Sequence, residues 1–151
     1  MVLSSPEPKI QTLEIVKNEE IKASVEIVYE SIIEILGNNC DRDGKPFPMV
    51  FEAWPGGRWF RDLGNNTGHF WGHVQVIKPP KLIEICGPLF MSYPAISHVQ
   101  YRITGDGPVS RLHLTHKAIG LILPEHSEGV NEGWQEEIEN IRKLAEQKAS
   151  R

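Results

Sequence analysis

The sequence predicts an α+β fold: a curved antiparallel sheet of about seven strands wrapped around a long C-terminal helix, with a short helix after the first strand. Three observations predict it. Between Met49 and Ile85, Trp54, Trp59 and Trp71 are spaced among the turn signals Pro55-Gly56-Gly57, Leu63-Gly64-Asn65-Asn66 and Lys78-Pro79-Pro80-Lys81, where Gly and Asn supply positive φ and Pro breaks the ladder. A second alternating pair, Val99, Tyr101, Ile103 and then Leu112, Leu114, His116, flanks the turn Gly105-Asp106-Gly107-Pro108. Beyond Pro124 the apolar period lengthens, and Val130, Trp134, Ile138, Ile141 and Ala145 recur every three or four residues with Glu and Lys between them.

In chain order, residues 1–9 carry Ser4, Ser5, Pro6 and Pro8 without periodicity and read as a disordered tail, so one domain is expected over residues 10–151. From Ile10 to Ala23, Leu13, Ile15, Ile21 and Ala23 alternate with an interruption over Lys17 to Glu20, which predicts a first strand that bends or bulges. Ser24 is a fitting N-cap for a helix in which Val25, Val28, Ile32 and Leu36 share a face and which Gly37 can end. The polar stretch over residues 38–47 reads as a loop into the tryptophan-bearing meander. After the meander, Leu82 to Gly87 reads as a strand. The proline-flanked run Leu89, Phe90, Met91, Tyr93 is too apolar to leave wholly in water and predicts a lid or a protein contact, either to a partner or to a second copy. The terminal helix must bury its stripe, and lying in the hollow of the sheet would close a cavity beside Trp134; Gly133 fits a close backbone approach there.

The bulk properties bound the function. The chain has 151 residues, 40% of them apolar and 24% charged, which suits one folded domain without disulfide or metal support. Its net charge of −4 and the lack of a Lys/Arg cluster exclude a phosphate-binding stripe, so no nucleic-acid partner is expected. No apolar run approaches the roughly 20 residues of a membrane span. The first residues lack a signal-peptide pattern, which gives a cytoplasmic expectation with reduced Cys40 and Cys86, and removes any weight from the glycosylation-like Asn65-Asn66-Thr67. There is no CxxC motif, nucleophile elbow or phosphate-binding glycine loop, so no cofactor is expected.

The order strand, helix, meander, terminal helix, with Gly57-Arg58-Trp59-Phe60, the run Gly72-His73-Val74-Gln75-Val76-Ile77-Lys78-Pro79-Pro80 and the late Gly133-Trp134, resembles the START-like (SRPBCC) helix-grip superfamily. Within it, the likeness is to the bacterial proteins similar to the C-terminal domain of the heat-shock-protein-90 ATPase activator (AHSA-type). The resemblance spans Ile10 to Glu146. It implies a sheet gripping a C-terminal helix around an apolar cavity for lipids, polyketides or similar ligands. No universal catalytic residue travels with it, and the fold by itself does not settle the chemistry.

Several side chains are candidates for that chemistry. Trp54, Trp59, Tyr101 and Trp134 are the expected walls for a small hydrophobic or amphipathic ligand, with His116 on the inward strand face to orient it or to act as acid–base. Glu52 shares strand parity with Trp54, so an inward Trp54 brings in a carboxylate fit for a general base, whereas the opposite register buries Phe51 and Ala53; the sequence leaves both open. His69, Trp71 and His73 fall on one face of a regular strand, two imidazoles short of the third ligand a metal needs. We therefore expect no metal there, with Phe70, Val74 and Val76 toward the core and Trp71 outside the cavity. Arg58 and Asp62 share parity and are expected to pair at the surface. Ligand binding is thus the first expectation, with a cyclase- or hydrolase-like enzyme using His116 or Glu52, or a co-chaperone-like interaction module, as alternatives.

Overall fold

The computed structural model describes residues 9–37, 39–40 and 46–151; the segment 1–8, Asn38, residues 41–45 and the side chains of Asn39, Cys40, Pro46 and Phe47 lie outside the description. The elements run β1 (Gln11–Ile21), α1 (Val25–Gly37), β2 (Asn39–Cys40), β3 (Pro46–Phe47), β4 (Met49–Phe51), β5 (Arg58–Gly64), β6 (Thr67–Lys78), β7 (Leu82–Gly87), β8 (Ala95–Gly105), β9 (Ser110–Gly120) and α2 (Pro124–Ala149). Seven strands form one antiparallel sheet in the order β1-β9-β8-β7-β6-β5-β4, and β2 pairs with β3 in a short ladder within the stretch 38–47 expected as a loop.

The sheet places β1, the first strand, beside β9, the last, so the chain closes its meander from both ends. Their pairing runs unbroken from Gln11 opposite Gly120 to Ile21 opposite Ser110, which corrects the expected bend or bulge. Alternation simply continues through charged residues: Glu19, on the same face as Ile15 and Ile21, meets Arg142 of α2 at 3.1 Å. A carboxylate on the inner face is tolerated because the helix brings its cation. Just beyond the same end of β1, the Lys22 backbone N–H donates to Glu146 at 2.9 Å.

The core lies between the concave face of the sheet and the two helices. Val28, Ile32 and Leu36 of α1 and Val130, Trp134, Ile138, Ile141 and Ala145 of α2 bury the stripes expected from their spacing, against Val99, Tyr101 and Ile103 of β8 and Leu112 and Leu114 of β9. The Ser24 hydroxyl accepts a long bond, 3.4 Å, from the Ile27 N–H at the start of α1, a weak form of the expected cap. At the other end of α1 the indole of Trp59 donates to the Leu36 carbonyl at 3.0 Å, so a strand tryptophan satisfies a helix-terminal acceptor.

Local chemistry sets the turns that shape the meander. Gly64, Asn65 and Asn66 take φ of 83°, 53° and 59° between β5 and β6, as their composition anticipates. Among the described residues no helix is long and apolar enough to cross a membrane.

Candidate functional site

One irregularity in β6 decides what the concave face presents. The pairing of β5 with β6 shifts between Trp59 and Phe60: Trp59 faces Gly72, whereas Phe60 faces Phe70, leaving Trp71 as the extra residue of a bulge. Glycines permit it. A Cβ at Gly72 would come within 2.8 Å of the Cys86 carbonyl, and one at Gly87 within 2.5 Å of the Gly72 Cα and the Trp71 carbonyl. This close approach of β6 and β7 turns the Trp71 ring inward, where it meets Trp59 edge to face at 4.9 Å.

The same bulge overturns the expected histidine face. His69 pairs with Arg61 and His73 with Arg58, three residues apart on β5 and therefore on opposite faces. His69 lies against Trp71, while His73 lies outside against Phe70, which is 39% exposed. The expectations of a core-facing Phe70 and an outward Trp71 are both corrected, because the extra residue flips the parity. Val74 is buried as expected, whereas a second shift in β6, between Val74 and Val76, pairs Val76 with Glu84 and leaves it outside the core cluster, against which Ile77 packs instead. Among the described residues no three His, Cys, Asp or Glu side chains are grouped to hold a metal ion.

The loop over residues 88–94 is the second structural surprise. Leu89 is fully buried, with its N–H donating to the Trp71 carbonyl at 2.7 Å, and Met91 is 4% exposed in a small cluster with Ala118 and Ile122. The Tyr93 hydroxyl reaches His126 Nδ1 of α2 at 3.1 Å. This stretch is therefore a pinned wall and not the exposed apolar contact expected for a partner or a second copy. Phe90 remains partly exposed and lies 5.7 Å from Trp71, ring to ring.

Together these elements leave a cleft of about 500 Å³ between the sheet and the N-terminal half of α2. The sheet side and the loop supply Trp59, Trp71, Phe90 and Met91. The helix supplies Gly129, Val130, Gly133, Trp134 and Glu137, with Glu125 and His126 in its first turn. A Cβ built on Gly129 or Gly133 would meet no atom within 4 Å, so these glycines bare the helix to open space and do not serve the close approach expected of Gly133.

Of the residues expected as walls, Trp59 and Trp134 line the cleft, while Tyr101 and His116 lie beneath it. Trp54 does not belong to it: it is 57% exposed, because the Pro55-Gly56-Gly57 turn carries it past the end of β4 to the outside. Glu52 goes with it. Its carboxylate receives the Arg58 Nε and Nη2 at 2.8 and 3.0 Å and the Arg58 backbone N–H at 2.8 Å, and this pairing holds its pKa down to about 2. A carboxylate so engaged is a poor proton acceptor, which removes the candidate general base. Arg58 consequently pairs with Glu52 and not with Asp62, whose Oδ1 instead accepts the Gly64 N–H in the turn.

His116 is fully buried with both ring nitrogens engaged. The Trp134 indole N–H donates to His116 Nδ1 at 2.9 Å; since indole can only donate, Nδ1 is the acceptor, and the proton sits on Nε2, 2.9 Å from the hydroxyl of Ser97. Burial lowers the histidine pKa to about 4, so the ring is neutral at physiological pH. His116 orients Trp134 and has no nitrogen left for a reacting molecule.

Glu137 is the residue that sequence reasoning missed. It lies three residues beyond Trp134 on α2, and the Tyr101 hydroxyl donates to its Oε2 at 2.9 Å. Desolvation raises its pKa to about 7, against the opposing effect of the tyrosine bond. The signal was present, since an acidic residue at i+3 from the widest apolar side chain sits on the buried stripe.

No family model matches the chain, and no curated protein matches its sequence. Solved structures do match in shape. An uncharacterized protein from Rhizobium leguminosarum superimposes with a TM-score of 0.72 at 14% identity, over 92% of this chain and 97% of its own. CalU16 from Micromonospora echinospora gives 0.62 at 16% identity, over 91% and 85%. The di-domain ARO/CYC protein StfQ of the steffimycin biosynthetic pathway gives 0.63 at 11% identity, over 92% of this chain and 51% of its own. At these identities the likeness shows the fold, a helix-grip-like sheet with a long C-terminal helix.

Proposed function

We propose that this protein binds a small, mostly apolar organic molecule in the cleft between the sheet and α2, without covalent chemistry of its own. The observation that carries the reading is the cleft itself: about 500 Å³ walled by Trp59, Trp71, Phe90 and Trp134, within the roughly 300–1,000 Å³ usual for small-molecule sites. Binding would draw on burial of ligand carbon at about 25 cal/mol per Å². Kinship with the activator-type proteins of the helix-grip superfamily belongs to the same proposal, supported by the Gly57-Arg58-Trp59-Phe60 and Gly133-Trp134 motifs. The occurrence of the fold in a protein of the steffimycin biosynthetic pathway is in keeping with a small organic ligand. The enzyme alternative loses both of its candidate groups, as Glu52 is held outside by Arg58 and His116 is consumed by Trp134 and Ser97.

Three of the four tryptophans line the cleft, so intrinsic fluorescence reports occupancy. A panel of neutral, cationic and anionic naphthyl and alkyl probes should include members that change the emission saturably and raise the melting temperature. Gly133→Leu is the matched control: leucine favours helix over glycine and its side chain enters open space, so the variant should keep or gain thermal stability while losing binding. Absence of saturable binding and of any thermal shift across the whole panel overturns the proposal.

A further inference from the structure

We infer that the ligand of this cleft is an organic cation, an ammonium group on an apolar body, held by aromatic walls and the carboxylate of Glu137. The inference rests on the small-molecule reading above and narrows it to one charge class.

The lining carries no Lys or Arg. Its charged groups are Glu137 on the wall and Glu125 at the start of α2, with His126 beside it. Three polar atoms close by are already committed: His116 Nδ1 to Trp134, the Tyr101 hydroxyl to Glu137, and His126 Nδ1 to Tyr93. A fatty-acid or other carboxylate ligand would meet two carboxyl groups and no Lys or Arg to offset its desolvation. An ammonium meets the reverse.

The aromatic side chains complete the argument. Trp59 and Trp71 stand at 79° to each other with centroids 4.9 Å apart, and Trp71 and Phe90 at 76° and 5.7 Å. Trp134, held from behind by His116, faces them from the helix. Walls set at right angles form a box, and the negative face of an aromatic ring attracts a cation within about 6 Å of its centre, tryptophan most strongly. One carboxylate oxygen of Glu137 takes the Tyr101 hydroxyl, and the other has no protein partner among the described contacts of this wall. A cation beside it would restore the ionised form that desolvation disfavours.

The test uses a matched naphthyl series on the intact chain: a 2-naphthylethyl trimethylammonium, its neutral methyl ether and the corresponding carboxylate, titrated by tryptophan quenching and calorimetry. At pH 8 the cation should bind about tenfold or more tighter than the ether, and the carboxylate weakest. Between pH 8 and pH 6 the preference for the cation should shrink by up to about tenfold as Glu137 takes up its proton, since the quaternary ammonium itself does not titrate. Tyr101 faces Glu137 from β8 and His116 of β9 lies behind Trp134, and neither changes charge in that window; His126 and Glu125 share the cleft, so Glu137→Gln assigns the effect. That variant should bind the ether as before, lose the cation preference and show a flat pH profile. Equal binding of cation and ether at pH 8 overturns the charge class while leaving the small-molecule reading intact. An undiminished preference in Glu137→Gln overturns the role of this carboxylate. Failure of every member to bind overturns the underlying reading instead.

Discussion

Glu52 and Glu137 carry the same carboxyl group at opposite sides of the sheet, and their surroundings drive them in opposite directions. At the turn between β4 and β5, a guanidinium and a backbone N–H both donate to Glu52, and its pKa falls to about 2. In the cleft, Glu137 has a single phenolic donor and apolar neighbours, and its pKa rises to about 7. The first is an ionic clasp that holds a turn in water. The second is a proton-carrying group kept in an aromatic cleft, where charge is costly until a partner arrives. Surroundings in the fold, and not residue type, separate the carboxylate that clasps a turn from the one proposed to meet a ligand.

The largest test of that contrast is the pH dependence of stability. Glu137 has a folded pKa above its unfolded value, so the folded state binds the proton more strongly; its contribution is full below about pH 4.5 and is lost as pH rises through about 7. Chemical denaturation at pH 5 and pH 8 should show the wild type losing on the order of 2 kcal/mol more than Glu137→Gln over this interval. Parallel curves for the two proteins would break the contrast at its functional end. Tyr101→Phe should come next, costing about 1 kcal/mol through the lost bond and moving the Glu137 titration further upward, as read by carboxyl-carbon NMR. A downward or unchanged titration would show that the phenol does not donate to this carboxylate.

Glu52→Gln should give the smallest effect, a small loss at neutral pH that closes in acid. A carboxylate with a depressed folded pKa stabilises above its unfolded value, near 4.5, and that contribution is lost as pH falls through about 2. The variant should therefore be slightly less stable than wild type at neutral pH, a deficit kept small because Arg58 is largely exposed, and should converge with it as pH falls between those limits. Loss of stability at pH 7 comparable to that of Tyr101→Phe would mean that the clasp does more than hold its turn.

The two helices and the β8–β9 hairpin were legible because their periods are written into neighbouring residues: the buried stripe from Val130 to Ala145 and the alternation Leu112, Leu114, His116 need no knowledge of the rest of the chain. Placing a long amphipathic helix against the sheet followed from its need to bury that stripe. The cleft was legible only in part. Trp59 and Trp134 could be read as wall candidates from their size and context, and Glu137 could have been found by its place on the stripe. The sequence misplaced Trp71 and His73 because one extra residue in a ladder reverses every side chain beyond it, and left Trp54 and Glu52 open because the turn after β4 takes them out of strand parity.

The sequence by itself therefore determined the element order, the antiparallel meander and the buried faces of both helices, all of which follow from short-range periodicity and turn chemistry. The tertiary structure alone decided which tryptophans face inward, where Arg58 finds its partner, and that a glutamate keeps its proton near neutrality. These depend on strand register and on desolvation, and both are set by residues brought together from distant parts of the chain.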